Sequence, residues 1–220
     1  MSDFKTYLDI ETIPCQSAAY LDKLRAEVTA PAQYKKPDSI LEWLAENRET
    51  AAMDQLTKTS FDPARGHICT IAWAHDDGNI LGLHAETVDQ EASLLRGFFS
   101  TLSEFSRHEF IGHYIGGFDL RFILCRAVVL GIKIPKCIPR DPKPWDKTVF
   151  DTMTAWAGAR GTISMNNLAE ALGMDGKGDF DGSMVADAWA KGQHETILEY
   201  CKQDVARTRE IHRRFVAVNW

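Results

Sequence analysis

The order of strand and helix signals is what most limits the folds open to this chain. FKTYLDI (residues 4–10) alternates short and apolar side chains, is rich in β-formers, and is read as the first strand. Two helical stretches follow. SAAYLDKLRAEV (17–28) spaces Ala18, Leu21, Leu24 and Val28 by three and four, and Ser39 with Glu42 has the pattern of a capping box opening a second helix. Pro31 and Pro37 bracket the loop between them. Residues 12–65 therefore read as a helical insertion, too short and too poorly apolar for a second domain. HICTIAWA (67–74) and ILGLHA (80–85), joined by Asp76-Asp77-Gly78-Asn79, predict a hairpin. An amphipathic helix (90–105), a short strand (109–114) and a helix ending at Gly131 come next. Residues 133–148 carry four prolines and form a loop; 164–173 is a short capped helix, 173–182 a glycine- and aspartate-rich loop. One long helix runs from about His194 to the C-terminus. This succession predicts an α/β class, a mixed sheet with helices packed on it, as one domain over residues 1–220.

Composition narrows the function. The chain of 220 residues has 25 Lys+Arg against 31 Asp+Glu, a net charge of −6. Such acidity speaks against non-specific coating of nucleic acid and leaves room for a grip on one chain end. The densest apolar stretch, residues 122–131, is interrupted by Arg126, so no membrane span and no membrane partner are expected. MSDFKTYLDIE lacks a charged-then-apolar signal pattern. Five cysteines, an odd number without a C-x-x-C pair, predict reduced thiols rather than disulfides or a zinc knuckle. The expected localisation is cytoplasmic.

Three acidic features carry the chemistry. In a strand, Asp9 and Glu11 project to one face, and two adjacent carboxylates repel unless a cation sits between them. The plainer alternative puts Glu11 in the following loop with both groups solvated. Asp119 follows Gly116-Gly117-Phe118 at the start of a helix, where an aspartate is also an ordinary cap. Tyr200 and Asp204, four apart, share one helical face, where a solvated aspartate is the alternative.

Together and in this order, YLDIETIP (7–14), GHYIGGFDLRFIL (112–124) and YCKQDVARTREIHRRF (200–215) resemble the three motifs of the DEDD 3′–5′ exonucleases. Tyr200, four residues before Asp204, resembles the tyrosine (DEDDy) subgroup. The likeness is greatest to stand-alone relatives of the proofreading domain of family B DNA polymerases. It covers residues 4–14 and about 67–216. The resemblance implies a ribonuclease H-like mixed sheet flanked by helices, with the 12–65 helical insertion after the first strand. It implies catalytic roles for Asp9, Glu11, Asp119, Tyr200 and Asp204. The four carboxylates would hold two divalent cations, Mg²⁺ or Mn²⁺, in a two-metal scheme. Tyr200 would position the attacking water, and nucleoside 5′-monophosphates would leave the 3′ end of single-stranded DNA, favoured over RNA.

Substrate contacts are expected from Thr12 and Ile13, from Tyr114, and from Lys177 in the GKGDF loop (176–180). Ile13 would wedge against the last base or pack inside. Tyr114 departs from the pattern, because the family usually has asparagine there. Arg121, Arg126, Lys133, Lys136, Arg140, Lys143 and Lys147 would line a single-strand channel or form solvated surface. His113 reads as structural, with a metal or phosphate neighbour as the alternative, and Phe118 as a core residue. Asp151 reads as a helix start or an extra acid behind the site, and Asp179 and Asp181 as a solvated loop or metal ligands. With no polymerase domain in these residues, a polymerase or repair complex would be met in trans. Two further readings stay open: an exoribonuclease with the same chemistry, and a silent nucleic-acid-binding module. No G-x-G-x-x-G follows the first strand, which sets dinucleotide binding aside.

Overall fold

Ten consecutive residues, Phe4–Ile13, form the central strand β1. The computed structural model describes residues 4–102, 108–143, 146–174 and 178–220. The other strands are β2 (His67–His75), β3 (Leu81–His84), β4 (His108–Gly112) and β5 (Val149–Asp151). Their order is β3-β2-β1-β4-β5. β1 runs antiparallel to β2 and parallel to β4; β2 and β3 are antiparallel, β4 and β5 parallel. Among the described residues eight α-helices accompany them: α1 (Ala18–Glu27), α2 (Pro37–Lys58), α3 (Glu91–Leu102), α4 (Asp119–Val129), α5 (Thr152–Ala157), α6 (Met165–Ala171), α7 (Val185–Ala190) and α8 (His194–Ala217). The result is a mixed five-stranded sheet flanked by helices, the ribonuclease H-like arrangement expected from the motifs.

The two-residue period of β1 distributes its side chains between two packed layers. Leu8 and Ile10 enter a core with Leu94, Leu95 and Phe98 of α3 and Phe122 and Ile123 of α4. Tyr7 faces the other way, against Cys201 and Val205 of α8. Each large side chain sealed in this way stabilises the fold by about 1.5–3 kcal/mol. α8 offers the apolar stripe its spacing predicts, with Ile197, Leu198, Cys201, Val205, Ile211 and Phe215 buried.

Several local expectations change. β1 continues to Ile13, so Glu11 lies in the strand rather than in a loop. α2 begins at Pro37, before Ser39, and its N-cap Lys36 makes no side-chain cap bond. Proline at the first helical position needs no N–H partner and carries a preset φ, so it starts the helix ahead of the capping-box pattern. β5 is only three residues long, too short for periodicity to reveal. Asp151 at its end caps α5, accepting from the N–H groups of Met153 and Thr154 at 3.0 and 3.2 Å.

Helices α1 and α2 share a small cluster of Leu24, Val28 and Ala52 with Tyr20 and Trp43. Their base is fastened to the sheet. The Thr12 hydroxyl donates to the Ser60 carbonyl at 2.8 Å, the Cys15 N–H to the Thr59 hydroxyl at 2.8 Å, and the Arg65 guanidinium lies 4.6 Å from the centre of the Tyr20 ring. Arg126, expected along the channel or on solvated surface, is instead buried. It pairs with Glu91 at 2.7 Å and donates to the Pro63 carbonyl at 3.2 Å. Among the described residues no helix is long and apolar enough to cross a membrane. All five cysteines are free.

Candidate active site

The acidic residues meet where β1 ends. Asp9 pairs in register with Ala72 and Glu11 with Thr70, after which the register to β2 shifts between Glu11 and Thr12. A bulge of this kind re-aims side chains at the end of a ladder. Asp9, Glu11 and Cys201 of α8 each bring a donor atom within 4.8 Å of the others. The Cys201 thiol donates to the Asp9 carboxylate at 3.3 Å. Asp119, first residue of α4, is buried and accepts the backbone N–H of Ile10, between Asp9 and Glu11, at 3.1 Å. Asp204 reaches the same cluster from α8. Its carboxylate is held at 2.9 Å by Arg207, one turn further on, and accepts a hydrogen bond from the Tyr200 hydroxyl.

The electrostatics record this crowding. Burial pushes the Asp9 carboxyl well above its ordinary range, and the charges of Glu11, Asp119 and Asp204 push it further, against the Cys201 hydrogen bond. Burial raises Asp119 to about 7, opposed by backbone N–H donors and reinforced by Asp151. The Tyr200 phenol is raised by burial and then by Glu11, Asp204 and Asp9, so it keeps its proton. Its ring lies 5.0 Å from that of Phe180, and both border a cleft of about 470 Å³.

The sequence-predicted residues thus fall into groups. Asp9, Glu11, Asp119, Tyr200 and Asp204 come together. Thr12 adjoins them, with its hydroxyl committed to Ser60. Ile13 is 1% exposed and packs with Cys69, Val185, Ala188 and Ile197, leaving its side chain no free face. Tyr114 is exposed on the loop before α4 and sits at φ +63°, with its N–H on Asp151 at 3.0 Å. That left-handed conformation suits asparagine better than tyrosine. A Cβ on Gly117 would come within 2.4 Å of the Tyr114 ring, so the glycine lets the ring lie against the loop. Lys177 lies outside the described residues. His113 bonds Thr152 and the Ile163 carbonyl, a structural role. Asp179 is exposed, and Asp181 caps the turn at Ser183.

Two members of the site were missed by sequence reasoning. Cys201 reads as one more apolar residue of α8, yet it lies three before Asp204 and so on the same side. Arg207 is three after it, a spacing that marks an ion-pair partner on any helix.

Among curated proteins none matches this sequence. The fold is similar to that of a family B DNA polymerase from the hyperthermophilic archaeon Pyrobaculum calidifontis, with a TM-score of 0.61 at 18% identity. The match covers 98% of this chain and 25% of the polymerase, so the chain spans a quarter of that protein. A family model described as a predicted 3′–5′ exonuclease related to the exonuclease domain of PolB matches residues 64–219. That range holds Asp119, Tyr200 and Asp204; Asp9 and Glu11 precede it and join them through the fold. The chain belongs to this family of predicted 3′–5′ exonucleases related to the PolB exonuclease domain.

Proposed function

We propose that the protein is a divalent-metal-dependent exonuclease that removes nucleoside 5′-monophosphates from the 3′ end of single-stranded DNA. One observation carries the reading: four carboxylates from β1, α4 and α8 crowd together, with Asp9 raised far above its ordinary range by burial and by the other three. Such a cluster is costly without a cation, and its oxygen donors suit Mg²⁺ or Mn²⁺. Asp9, Glu11, Asp119 and Asp204 would hold two such ions. Bound there, the ions would polarise the scissile phosphate and acidify the attacking water.

The chain's own groups do the positioning. The Ile10 N–H holds one oxygen of the Asp119 carboxylate, and Arg207 holds one oxygen of the Asp204 carboxylate. Tyr200 stays protonated at its hydroxyl and donates to Asp204. With substrate bound, that hydroxyl would orient the attacking water, and it is too weak an acid to serve as the base. Tyr114 and Lys177 would contact the substrate, Tyr114 from the loop ahead of Asp119.

The test is digestion of 5′-labelled DNA and RNA oligomers with Mg²⁺, with Mn²⁺ and with chelator. Stepwise shortening of DNA that chelator stops supports the reading. Shortening of RNA in preference to DNA would move the substrate to RNA, and binding without shortening would leave a silent nucleic-acid-binding module.

A further inference from the structure

The helical insertion ends beside the acids and presents there an aromatic ring that the fold does not bury. Its last turn, Thr59–Phe61, is pinned to the end of β1 by the Thr12–Ser60 and Cys15–Thr59 hydrogen bonds, both 2.8 Å. Phe61, which closes the turn, is 72% exposed. Its ring lies 6.2 Å from that of Phe118, the residue immediately before Asp119. Leaving such a ring in water forgoes the stabilisation that burying it would give.

Next to Phe61 in the chain, a cleft of about 480 Å³ runs between residues 62–64 and one face of α4. Its floor is apolar, with Pro63, Leu124, Val128 and Val129, and the last two are 74% and 56% exposed. Arg121, two residues after Asp119, and Arg140 stand exposed on its lining. Arg121 also acts on Asp141, whose pKa it helps to lower. Asp62 is the acid of the lining, and its carboxylate is engaged by the Ala64 N–H at 2.9 Å. The cleft is therefore apolar and locally cationic on a chain of net charge −6, and its lining adjoins the acid site along the chain: Asp62 follows Phe61, whose ring lies beside Phe118, and Arg121 is two residues after Asp119.

We propose that this cleft is the track along which a single-stranded nucleic acid approaches the acids. Phe61 is the platform on which a base near the 3′ end stacks, and Arg121 and Arg140 contact phosphates. Stacking platforms beside cationic grooves are how single strands are held without sequence preference. The helical insertion thereby becomes part of the substrate site. The inference rests on the nuclease reading above and assigns that site its strand-binding surface.

The experiment uses the full chain and a 5′-fluorescein oligothymidylate. Binding is followed by anisotropy in chelator, and digestion with Mn²⁺ in parallel. Phe61→Ala is expected to weaken binding about tenfold and to raise KM in parallel, and Phe61→Tyr to restore both. The Arg121→Ala, Arg140→Ala double variant should flatten the plot of log affinity against log salt by about 1.4, two phosphates at roughly 0.7 each. All these side chains are exposed, and unchanged melting temperatures verify folding. Phe61→Ala with wild-type affinity and KM, or a loss that Phe61→Tyr does not repair, overturns the track. If the wild type shortens no 3′ end, the nuclease reading fails and anisotropy alone decides. Binding weakened by Phe61→Ala then upholds the track; absent or unaffected binding overturns it.

Discussion

The two ends of β1 place polar groups in the interior in opposite ways. Toward its start, the Thr6 hydroxyl lies 3.1 Å from His75 and 2.6 Å from His108, and the Tyr7 hydroxyl lies 3.0 Å from His212. Burial holds His108 and His212 down at about 4 and lowers His75, so these imidazoles are neutral near pH 7. Toward its finish, Asp9 and Glu11 meet Asp119 and Asp204, and the carboxyls of Asp9 and Asp119 are pushed up. The first end joins neutral donors to neutral acceptors. The second concentrates like charge, and a bound cation would relieve it. Hydrogen bonding alone does not separate scaffold from site; the sign and density of charge do.

The largest expected effect breaks the second end. Asp9→Ala should lower single-turnover digestion by roughly 10³-fold, because several kcal/mol of transition-state stabilisation pass through that carboxylate. Asp9→Asn should also raise the melting temperature of the chelated protein at pH 8, since it removes charge from a crowded cluster. An active Asp9→Ala protein would refute the assignment. Tyr200→Phe should cost less, about tenfold in rate, as expected of a group that positions another; an unchanged rate would remove its role.

The pH response sharpens the contrast. In chelator, Asp119 has a folded pKa of about 7 against 3.8 unfolded, so its stabilising share is present at acid pH and lost as pH rises from 4 to 7. His108 and His212, at about 4 against 6.5 unfolded, do the reverse: their share is present above 6.5 and lost as pH falls to 4. Urea unfolding across this range should show the two arms partly cancelling. Asp119→Asn should remove the Asp119 share of the first arm, leaving that of Asp9, and so steepen the acid loss. The smallest effect belongs to the first end. Tyr7→Phe should cost about 1 kcal/mol and lower the melting temperature by roughly 2–4 °C, with the digestion rate at 25 °C unaltered.

The contrast also explains what the sequence reveals. Asp9 with Glu11, and Tyr200 with Asp204, show themselves through local spacing, two residues in a strand and four in a helix. The amphipathic stripe of α8 is legible for the same reason. Arg126 is not, because its partner Glu91 lies 35 residues away and no period distinguishes a buried arginine from a solvated one. The burial of Ile13 depends on α7 and α8, far along the chain. Ser39 fails as a cap because Pro37 starts the helix first, a competition between two local signals. Phe61 reads as one apolar residue among eleven phenylalanines, and only the fold sets it beside Phe118.

The most direct test of the central claim is a Mn²⁺ titration of the wild-type chain and of Asp9→Asn at pH 8, with free ion counted by electron paramagnetic resonance. The wild type should take up Mn²⁺, to two ions per chain at saturation, and Asp9→Asn should lose most of this uptake. A wild type that leaves the ion free at millimolar concentration, or a variant that binds it equally well, would contradict the claim.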